Sequence, residues 1–221
     1  YHSTKGARTE SQHIFIDMGL KASPAATPRV LEIGFGTGLN AWLTLEEAER
    51  NRRNIHYTGL ELYPLDWQTV EQLGYISSDE QLTIHRKQTT TDEQFTPNEE
   101  KQQSAIELFK QLHTSPWEKD VQLTPHFTLR KIETDVNKWR VENSPFNLVY
   151  FDAFAPEKQP EMWSQELFNR LYVLLDKDGI LTTYCAKGVV RRMLQTAGFT
   201  VERLPGPPGG KREILRARKQ E

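Results

Sequence analysis

Leu31-Glu32-Ile33-Gly34-Phe35-Gly36-Thr37-Gly38-Leu39-Asn40 joins a short apolar strand to a helix through a glycine loop, with an acidic residue at the strand tip. Glycines at 34, 36 and 38 let the backbone turn tightly and approach a ligand, because a Cβ there would clash or forbid positive φ. Three glycines alone are a weak signal. Glu61 adds to it by closing the next apolar run, Ile55-His56-Tyr57-Thr58-Gly59-Leu60, near the ~20-residue offset expected of a ribose-binding carboxylate.

Two ligand classes fit a strand, a glycine turn, a helix and an acid. A dinucleotide sets its pyrophosphate on the helix N-terminus and favours G-x-G-x-x-G, but here the third glycine falls one position early and Leu39 takes its place. A sulfonium cofactor carries an amino group and no phosphate. A carboxylate at Glu32 helps such a ligand and repels a diphosphate, so the stretch favours S-adenosylmethionine over a nicotinamide dinucleotide. A glycine turn that binds nothing remains the bland alternative.

At 221 residues with 37% hydrophobic content, the chain can bury the core of one α/β domain, residues 1–221, carrying one insertion at 77–125. No apolar run reaches the ~18 residues of a membrane span, and no charged-then-apolar leader is present, so cytoplasm is the expected compartment. The chain opens at Tyr1 rather than Met, which points to missing N-terminal sequence. Cys185 is the single cysteine and lies in the apolar run Gly179 to Cys185, where it reads as a buried small hydrophobe. The 6 histidines are scattered without ligand spacing, and no metal is expected.

Arg29 to Ile33 and Thr37 to Asn51 form the first strand and helix, with Leu39, Trp42, Leu43 and Leu45 facing inward. Ile55 to Leu62 gives the second strand, and Pro64 opens a helix over Leu65 to Leu73 that Gly74 stops. Residues 77–125 turn polar around one amphipathic stretch, Glu99 to Leu112, and read as a helical insertion with a mobile Thr89 to Pro97 loop. Strands follow at Phe127 to Ile132, ending at Asp135, and at Phe146 to Phe151, ending at Asp152. A helix over Gln165 to Leu175, a strand from Ile180 to Cys185, a helix over Val189 to Ala197, and strands at Phe199 to Leu204 and Arg212 to Ala217 complete the chain. The alternation predicts a mostly parallel, seven-stranded, Rossmann-like sheet. The last two strands, joined through Pro205 to Gly210 without a helix, must pair antiparallel, the ending typical of class I S-adenosylmethionine-dependent methyltransferases. Glu32, Glu61, Asp135 and Asp152 then all stand at strand carboxyl ends, where such sheets bind ligands.

Phe151-Asp152-Ala153-Phe154-Ala155-Pro156, followed by Pro160-Glu161-Met162-Trp163, places a carboxylate, an aromatic ring and two fixing prolines past a strand. Methyl transfer from a sulfonium is an in-line displacement that needs a free lone pair on the acceptor. An amine with a lysine-like pKa of ~10.4 costs about 4.6 kcal/mol to neutralise at pH 7, so a carboxylate that takes the proton is useful. Asp152 is the candidate base, with a turn-capping carboxylate as the bland reading. Phe154 and Trp163 are candidates to stack on a flat acceptor, or to pack in the core. The net charge of -2 hides a basic C-terminal part, in which Lys187, Arg191, Arg192, Arg203, Lys211, Arg212, Arg216, Arg218 and Lys219 face only Glu202, Glu213 and Glu221. Lys187, Arg191 and Arg192, joined by Lys211 and Arg212, are placed to contact phosphates, although a solvated basic face reads equally well on charge alone.

Gly34 to Asn40, Asp152 to Pro156 with Met162-Trp163, Gly188 to Arg192 and Lys211-Arg212-Glu213 together resemble the methyltransferase domain of the MnmC family. Tyr1 to Gly6-Ala7, Glu10-Ser11 and His13 to Ile16 look like that domain's N-terminal stretch. The resemblance covers nearly the whole chain apart from the polar insertion. It implies methylation of the 5-aminomethyl group of a (2-thio)uridine at the tRNA wobble position, with the anticodon stem-loop as partner. It also implies that Gly34, Gly36, Gly38 and Glu61 bind the cofactor and that Asp135 approaches the adenine; Phe35, Thr37, Asn40, Leu62 and Val136, neighbours of these in the sequence, complete the candidate cofactor set. Asp152 and Phe154 then face the modified uridine beside Pro156. Ala153 stands where relatives often have Gly, and Lys187 where they have a small residue. Without room for a flavin-dependent oxidase domain, the chain resembles the stand-alone form: no FAD is expected, and a separate oxidase or upstream wobble-uridine enzymes would be its partners. A small-molecule amine methyltransferase, an aminopropyltransferase-like enzyme and a catalytically silent tRNA-binding module are the competing readings.

Overall fold

The computed structural model describes residues 4–85, 100–140 and 145–220. In chain order these hold α1 (Thr4–Ser11), β1 (Arg29–Ile33), α2 (Leu39–Asn51), β2 (Ile55–Glu61), α3 (Trp67–Glu71), β3 (Gln81–His85), β4 (Glu100–Ser104) and α4 (Ala105–Thr114). There follow β5 (Asp120–Thr124), β6 (Phe127–Glu133), β7 (Phe146–Phe151), α5 (Gln165–Leu174), β8 (Leu175–Thr183), α6 (Gly188–Ala197), β9 (Thr200–Pro205) and β10 (Glu213–Arg218). A π-helical turn over Gln12–Asp17 continues α1 and buries Ile14, Phe15 and Ile16.

The sheet runs β5-β6-β2-β1-β7-β8-β10-β9. From β6 to β8 every pairing is parallel, and β8, β10 and β9 pair antiparallel as expected. The strand count is corrected from seven to eight, because β5 adds an antiparallel edge to β6. Its sequence Asp120-Val121-Gln122-Leu123-Thr124 alternates polar and apolar residues, the pattern of a half-buried edge strand. The insertion is likewise not purely helical, since β3 and β4 form their own antiparallel pair ahead of α4. The loop expected at Thr89 to Pro97 lies outside the described residues.

β1 and β7 are covered on both faces, so they read as mostly apolar runs, interrupted inside by Glu32 and Asn147. Val30, Tyr57, Leu148 and Tyr150 pack on one face with Trp42 and Phe109, while Leu31, Ile33, Val149 and Phe151 pack on the other with Phe168 and Leu194. α3 starts later than Pro64 suggests. Asp66 caps it by accepting from the Thr69 N–H at 2.7 Å, which leaves Pro64 in the loop before the helix. The chain passes from β1 to β2 and β6 on one side and returns to β7 on the other, so β1 marks the topological switch point where open α/β sheets bind ligands.

Gly59 in β2 makes room for the Phe35 ring of the glycine loop, since a Cβ there would fall 2.4 Å from Phe35 Cδ2. Phe35 is held on its other sides by His113 and Trp117 at centroid distances of 5.9 and 6.2 Å. Gly59→Ala is therefore expected to destabilise the protein by about 1–3 kcal/mol through overpacking, measured by urea unfolding. Wild-type stability in that variant would show that the ring is free to move aside.

Candidate functional site

The glycine loop is fastened to the carboxyl ends of its neighbours. The Gly34 and Phe35 N–H groups both donate to Leu60 O, at 3.1 and 2.9 Å, and the Asp152 N–H donates to Ile33 O at 3.1 Å. Gly34, Gly36 and Gly38 have φ of 88, 50 and 71°, a region that other residues enter only with strain. A Cβ on Gly36 would meet nothing nearer than Gly34 O at 3.9 Å, so the backbone there faces open space. Gly38 faces protein instead: a Cβ would stand 2.8 Å from His113 Nε2.

Behind this loop, Asn40 on α2 uses both hydrogens of its amide nitrogen on carboxylates. It donates to Glu32 Oε1 and to Asp152 Oδ2, each at 2.8 Å. Glu32 is wholly buried, and its Oε2 and Asn40 Oδ1 have no hydrogen-bond partner. Burial pushes the Glu32 carboxyl well above its ordinary value, and the charges on Asp152 and Glu61 push the same way. Burial also raises Asp152, to about 7; the Asn40 amide and the Lys211 charge oppose that rise, and the Glu10 charge adds to it. Glu32, expected to touch the cofactor, thus stands beneath the loop and acts through Asn40. Asp152 reaches the accessible side of the same bridge.

Glu61 is tied to the loop through three backbone donors: Gly36 N–H on Oε2, and Leu62 and Tyr63 N–H on Oε1, all at 2.9 Å. A carboxylate offers about four acceptor sites, so one is left for a ligand hydroxyl. Asp135 accepts from the Asn137 N–H at 2.9 Å and remains partly exposed, while Val136 is buried beside it. Leu62 and Tyr63 are exposed, Tyr63 to 75%. Partly open backbone at Gly34, Gly36 and Thr37, flanked by Glu61 and Asp135 and bordered by exposed apolar side chains, suits a nucleoside with hydroxyl and base ends. Phe35, by contrast, is buried and props the loop from inside.

The insertion supplies a further wall that sequence reasoning missed. His113 of α4 hydrogen-bonds Thr37 O at 2.9 Å, and since a carbonyl only accepts, Nε2 must carry the proton. Burial pushes His113 down to about 4, so the ring is a neutral donor. Lys131 of β6 donates to His113 O and lies 4.9 Å from the Trp117 ring centroid, with burial pushing its ammonium down to about 8. His113 was passed over as one of several scattered histidines, and only its helical partners Phe109 and Leu112 hint at the packed face.

Past the end of β7, Phe154 is exposed to 72%, with Pro156 in the turn after it. Of the two readings open for Trp163, stacking on an acceptor or packing in the core, the structure shows packing. Trp163 is 5% exposed, packs edge-on to Phe151 at 4.9 Å, and donates its indole N–H to Phe154 O at 2.7 Å. Ala153 O accepts from the Tyr184 hydroxyl at 2.7 Å. Lys187 caps α6 and pairs with Glu157. Lys211 pairs with Glu10 at 3.1 Å. Tyr184 and Glu10 were also missed; the rule that ligands gather at strand carboxyl ends points to Tyr184, just past β8, whereas nothing local marks Glu10.

Most of the basic C-terminal segment is internally engaged. Arg203 pairs with Glu213, Arg216 and Arg218 pair with Glu202, and Lys219 donates to Tyr172 O and Leu175 O. Among the described residues, Arg191, Arg192 and Arg212 have no ion-pair partner, and Arg191 Nε is buried without a hydrogen bond. Cys185 is buried, as expected. Among the described residues no cluster of His, Cys, Asp or Glu is gathered to hold a metal, and no helix is long and apolar enough to cross a membrane.

A family model described as S-adenosyl-L-methionine-dependent methyltransferase matches residues 96–220. The tRNA 5-methylaminomethyl-2-thiouridine biosynthesis bifunctional protein MnmC of Cupriavidus metallidurans is 30% identical over 99% of this chain, which spans 31% of that protein. The chain thus spans about a third of the length of such curated relatives. Among solved structures, MnmC2 from Aquifex aeolicus superposes with a TM-score of 0.64 at 21% identity, covering 94% of this chain and 59% of its own. The N-methyltransferase NodS from Bradyrhizobium japonicum gives 0.51 at 14% identity, covering 98% and 96%. These likenesses establish the fold.

The elevated Asp152 has a measurable consequence for stability. The folded protein keeps this proton up to about pH 7 against an ordinary value of 3.8, so between those values the native state binds more protons than the unfolded chain. Stability contributed by the neutral carboxyl is full below pH ~4 and is lost as pH rises through 7. Asp152→Asn, which keeps an acceptor for Asn40, is expected to be more stable than wild type at pH 8 and equal to it near pH 4. Urea unfolding at both values checks this, and a pH-independent difference overturns it.

Proposed function

The chain belongs to the S-adenosyl-L-methionine-dependent methyltransferase family whose model matches more than half of it, and on that premise we propose that it methylates the 5-aminomethyl nitrogen of a 2-thiouridine at the tRNA wobble position. The observation that carries the reading is Asp152, a carboxylate at the mouth of the switch-point crevice with its pKa raised to about 7. Similarity along the whole of this chain to MnmC relatives, of which it spans about a third, supports the choice of acceptor.

S-adenosylmethionine, when bound, supplies a methyl group on a sulfonium, and the open glycine backbone, Glu61 and Asp135 have the donor and acceptor chemistry to hold it. Glu61 offers its remaining acceptor site to a ribose hydroxyl, and Leu62, Val136 and Asp135 border the adenine. Asp152 takes a proton from the acceptor ammonium, exposing the nitrogen lone pair. A base with a pKa near the working pH combines an ionised resting form with useful basicity. Asn40 holds its second oxygen, which keeps the carboxylate aimed while the first receives the proton. Phe154 gives the uracil ring an exposed aromatic face, worth ~1–3 kcal/mol per stacked base. Arg191, Arg192 and Arg212, which have no ion-pair partner among the described residues, contact phosphates of the anticodon stem-loop. The enzyme acts in the cytoplasm, downstream of enzymes that build the aminomethyl group.

Incubation with labelled cofactor and an anticodon stem-loop bearing 5-aminomethyl-2-thiouridine tests the reading, and absence of label in the RNA sinks it. Asp152→Asn is expected to lower kcat by about 10²- to 10⁴-fold while calorimetric binding of S-adenosylhomocysteine changes little. The wild-type rate should rise with pH to a plateau through an apparent pKa near 7, because only ionised Asp152 accepts a proton. Loss of that limb in the variant checks the assignment. Three phosphate contacts predict a slope of about −2 in log binding constant against log salt, each Arg→Ala change removing ~0.7. A slope unaffected by those changes would place the RNA elsewhere.

A further inference from the structure

Lys211 lies in the turn between β9 and β10, and its ammonium is already in an amine-like environment. Its Nζ stands 3.6 Å from the centroid of the Tyr184 ring and 3.1 Å from Glu10 Oε1. Tyr184 is fixed just past β8 by its hydroxyl, which donates to Ala153 O at 2.7 Å, next to Asp152. Glu10 arrives from α1, across the mouth of the site, and both Glu10 and Lys211 are close enough to act electrostatically on Asp152. An aromatic face with a carboxylate beside it is the arrangement that recognises an alkylammonium ion. The wider basic segment offers no equivalent, because its other engaged cations meet carboxylates, backbone carbonyls or the Tyr172 ring away from Asp152.

We propose that Glu10, the Tyr184 ring and Asp152 form the subsite for the acceptor's alkylammonium group, and that the Lys211 ammonium fills this subsite until the acceptor displaces it. The inference rests on the amine-acceptor reading above and gives it a binding step. Glu10 and Tyr184 hold the incoming cation, and one N–H bond breaks as its proton passes to the Asp152 carboxylate. The freed lone pair forms the N–CH3 bond while the S–CH3 bond breaks, its electron pair remaining on sulfur as a neutral thioether. The product is a secondary ammonium on the same ring. Glu10 is then a specificity residue, since a carboxylate at this point favours cationic acceptors over hydroxyl ones. Lys211, by contrast, is a competitor for the subsite rather than a phosphate contact.

The test has two arms. In the first, n-propylammonium chloride is titrated into the full chain saturated with S-adenosylhomocysteine, and the Tyr184 ring resonances are followed by NMR. Lys211→Met is expected to bind the ion roughly three- to tenfold more tightly than wild type, the range of an exposed ion pair plus a cation–π contact. Adding Glu10→Gln or Tyr184→Leu should abolish the gain, whereas Tyr184→Phe, which keeps the ring, should retain it. In the second arm, the KM for the aminomethyl stem-loop is expected to fall in Lys211→Met and to rise roughly tenfold in Glu10→Gln. No gain in n-propylammonium affinity, a gain that survives Glu10→Gln, or a raised KM in Lys211→Met each overturn the subsite. RNA labelled by the wild type with no such gain leaves the RNA reading standing and removes the subsite. A gain with no RNA labelled does the reverse.

Discussion

One carboxamide sets the electrostatics of the site. Asn40 has two N–H donors, and both end on acids, Glu32 Oε1 and Asp152 Oδ2. An unpaired buried acceptor costs about 1–3 kcal/mol, and a buried charge more. Glu32 is tolerated in the core because the Tyr57 hydroxyl and the Asn40 amide both face it and because burial raises its carboxyl well above the ordinary value. Asp152 inherits the other half of the arrangement, a donor on its inner oxygen and a free outer one. Were Asn40 a leucine, two acids would face each other in low dielectric with nothing between them, and the first turn of α2 would lose its link to the end of β7. The glycine loop lies between these two elements, so its shape and the basicity of Asp152 depend on the same pair of hydrogen bonds.

The insertion serves the same loop from the opposite side. Residues 77–125 look polar and dispensable, yet α4 buries Leu108, Phe109 and Leu112 against α2 and α3 and brings His113 to Thr37 O. A charged histidine there would cost desolvation, and burial keeps it neutral. Lys131 is held over the Trp117 ring for a related reason: its ammonium is only partly hydrated, and an aromatic face offsets some of that loss. Loop closure entropy grows slowly with length, so a long excursion that returns a rigid helix to the cofactor loop costs little more than a short one.

Local pattern carried the parallel strands, the antiparallel ending and the glycine loop, because two-sided burial writes itself as apolar runs and a positive φ writes itself as glycine. β5 and the β3–β4 pair were less visible: short alternating segments among polar residues have no strong period until a partner strand is present. Within the site, Asp152, Glu61 and the loop glycines were legible as residues at strand ends. Glu32 was legible as an acid but not as a buried one, since burial of a charge depends on a donor eight residues away on another element. Trp163 and Phe154 come from the same stretch, and only tertiary packing decides that one ring points inward and the other out. Glu10, Tyr184 and His113 meet the site from three distant segments, a relation that no spacing rule encodes.

Most of the basic C-terminal charge is neutralised by pairing within the fold. Exposed ion pairs such as Arg203 with Glu213 contribute only about 0–1 kcal/mol each to stability, but pairing cancels their field beyond the Debye length of ~10 Å at 0.1 M salt. The basic segment visible in the sequence is therefore largely silent at a distance, and the unpaired Arg191, Arg192 and Arg212 carry what attraction this surface offers. On the proposed reading, recognition depends less on phosphate neutralisation than on the surroundings of Asp152, where the exposed Phe154 ring, the raised Asp152 carboxyl and the Glu10 carboxylate lie at one end of the sheet. A site that works as proposed selects its acceptor by the chemistry of one nitrogen, and needs to bind the rest of the nucleic acid only firmly enough to present it.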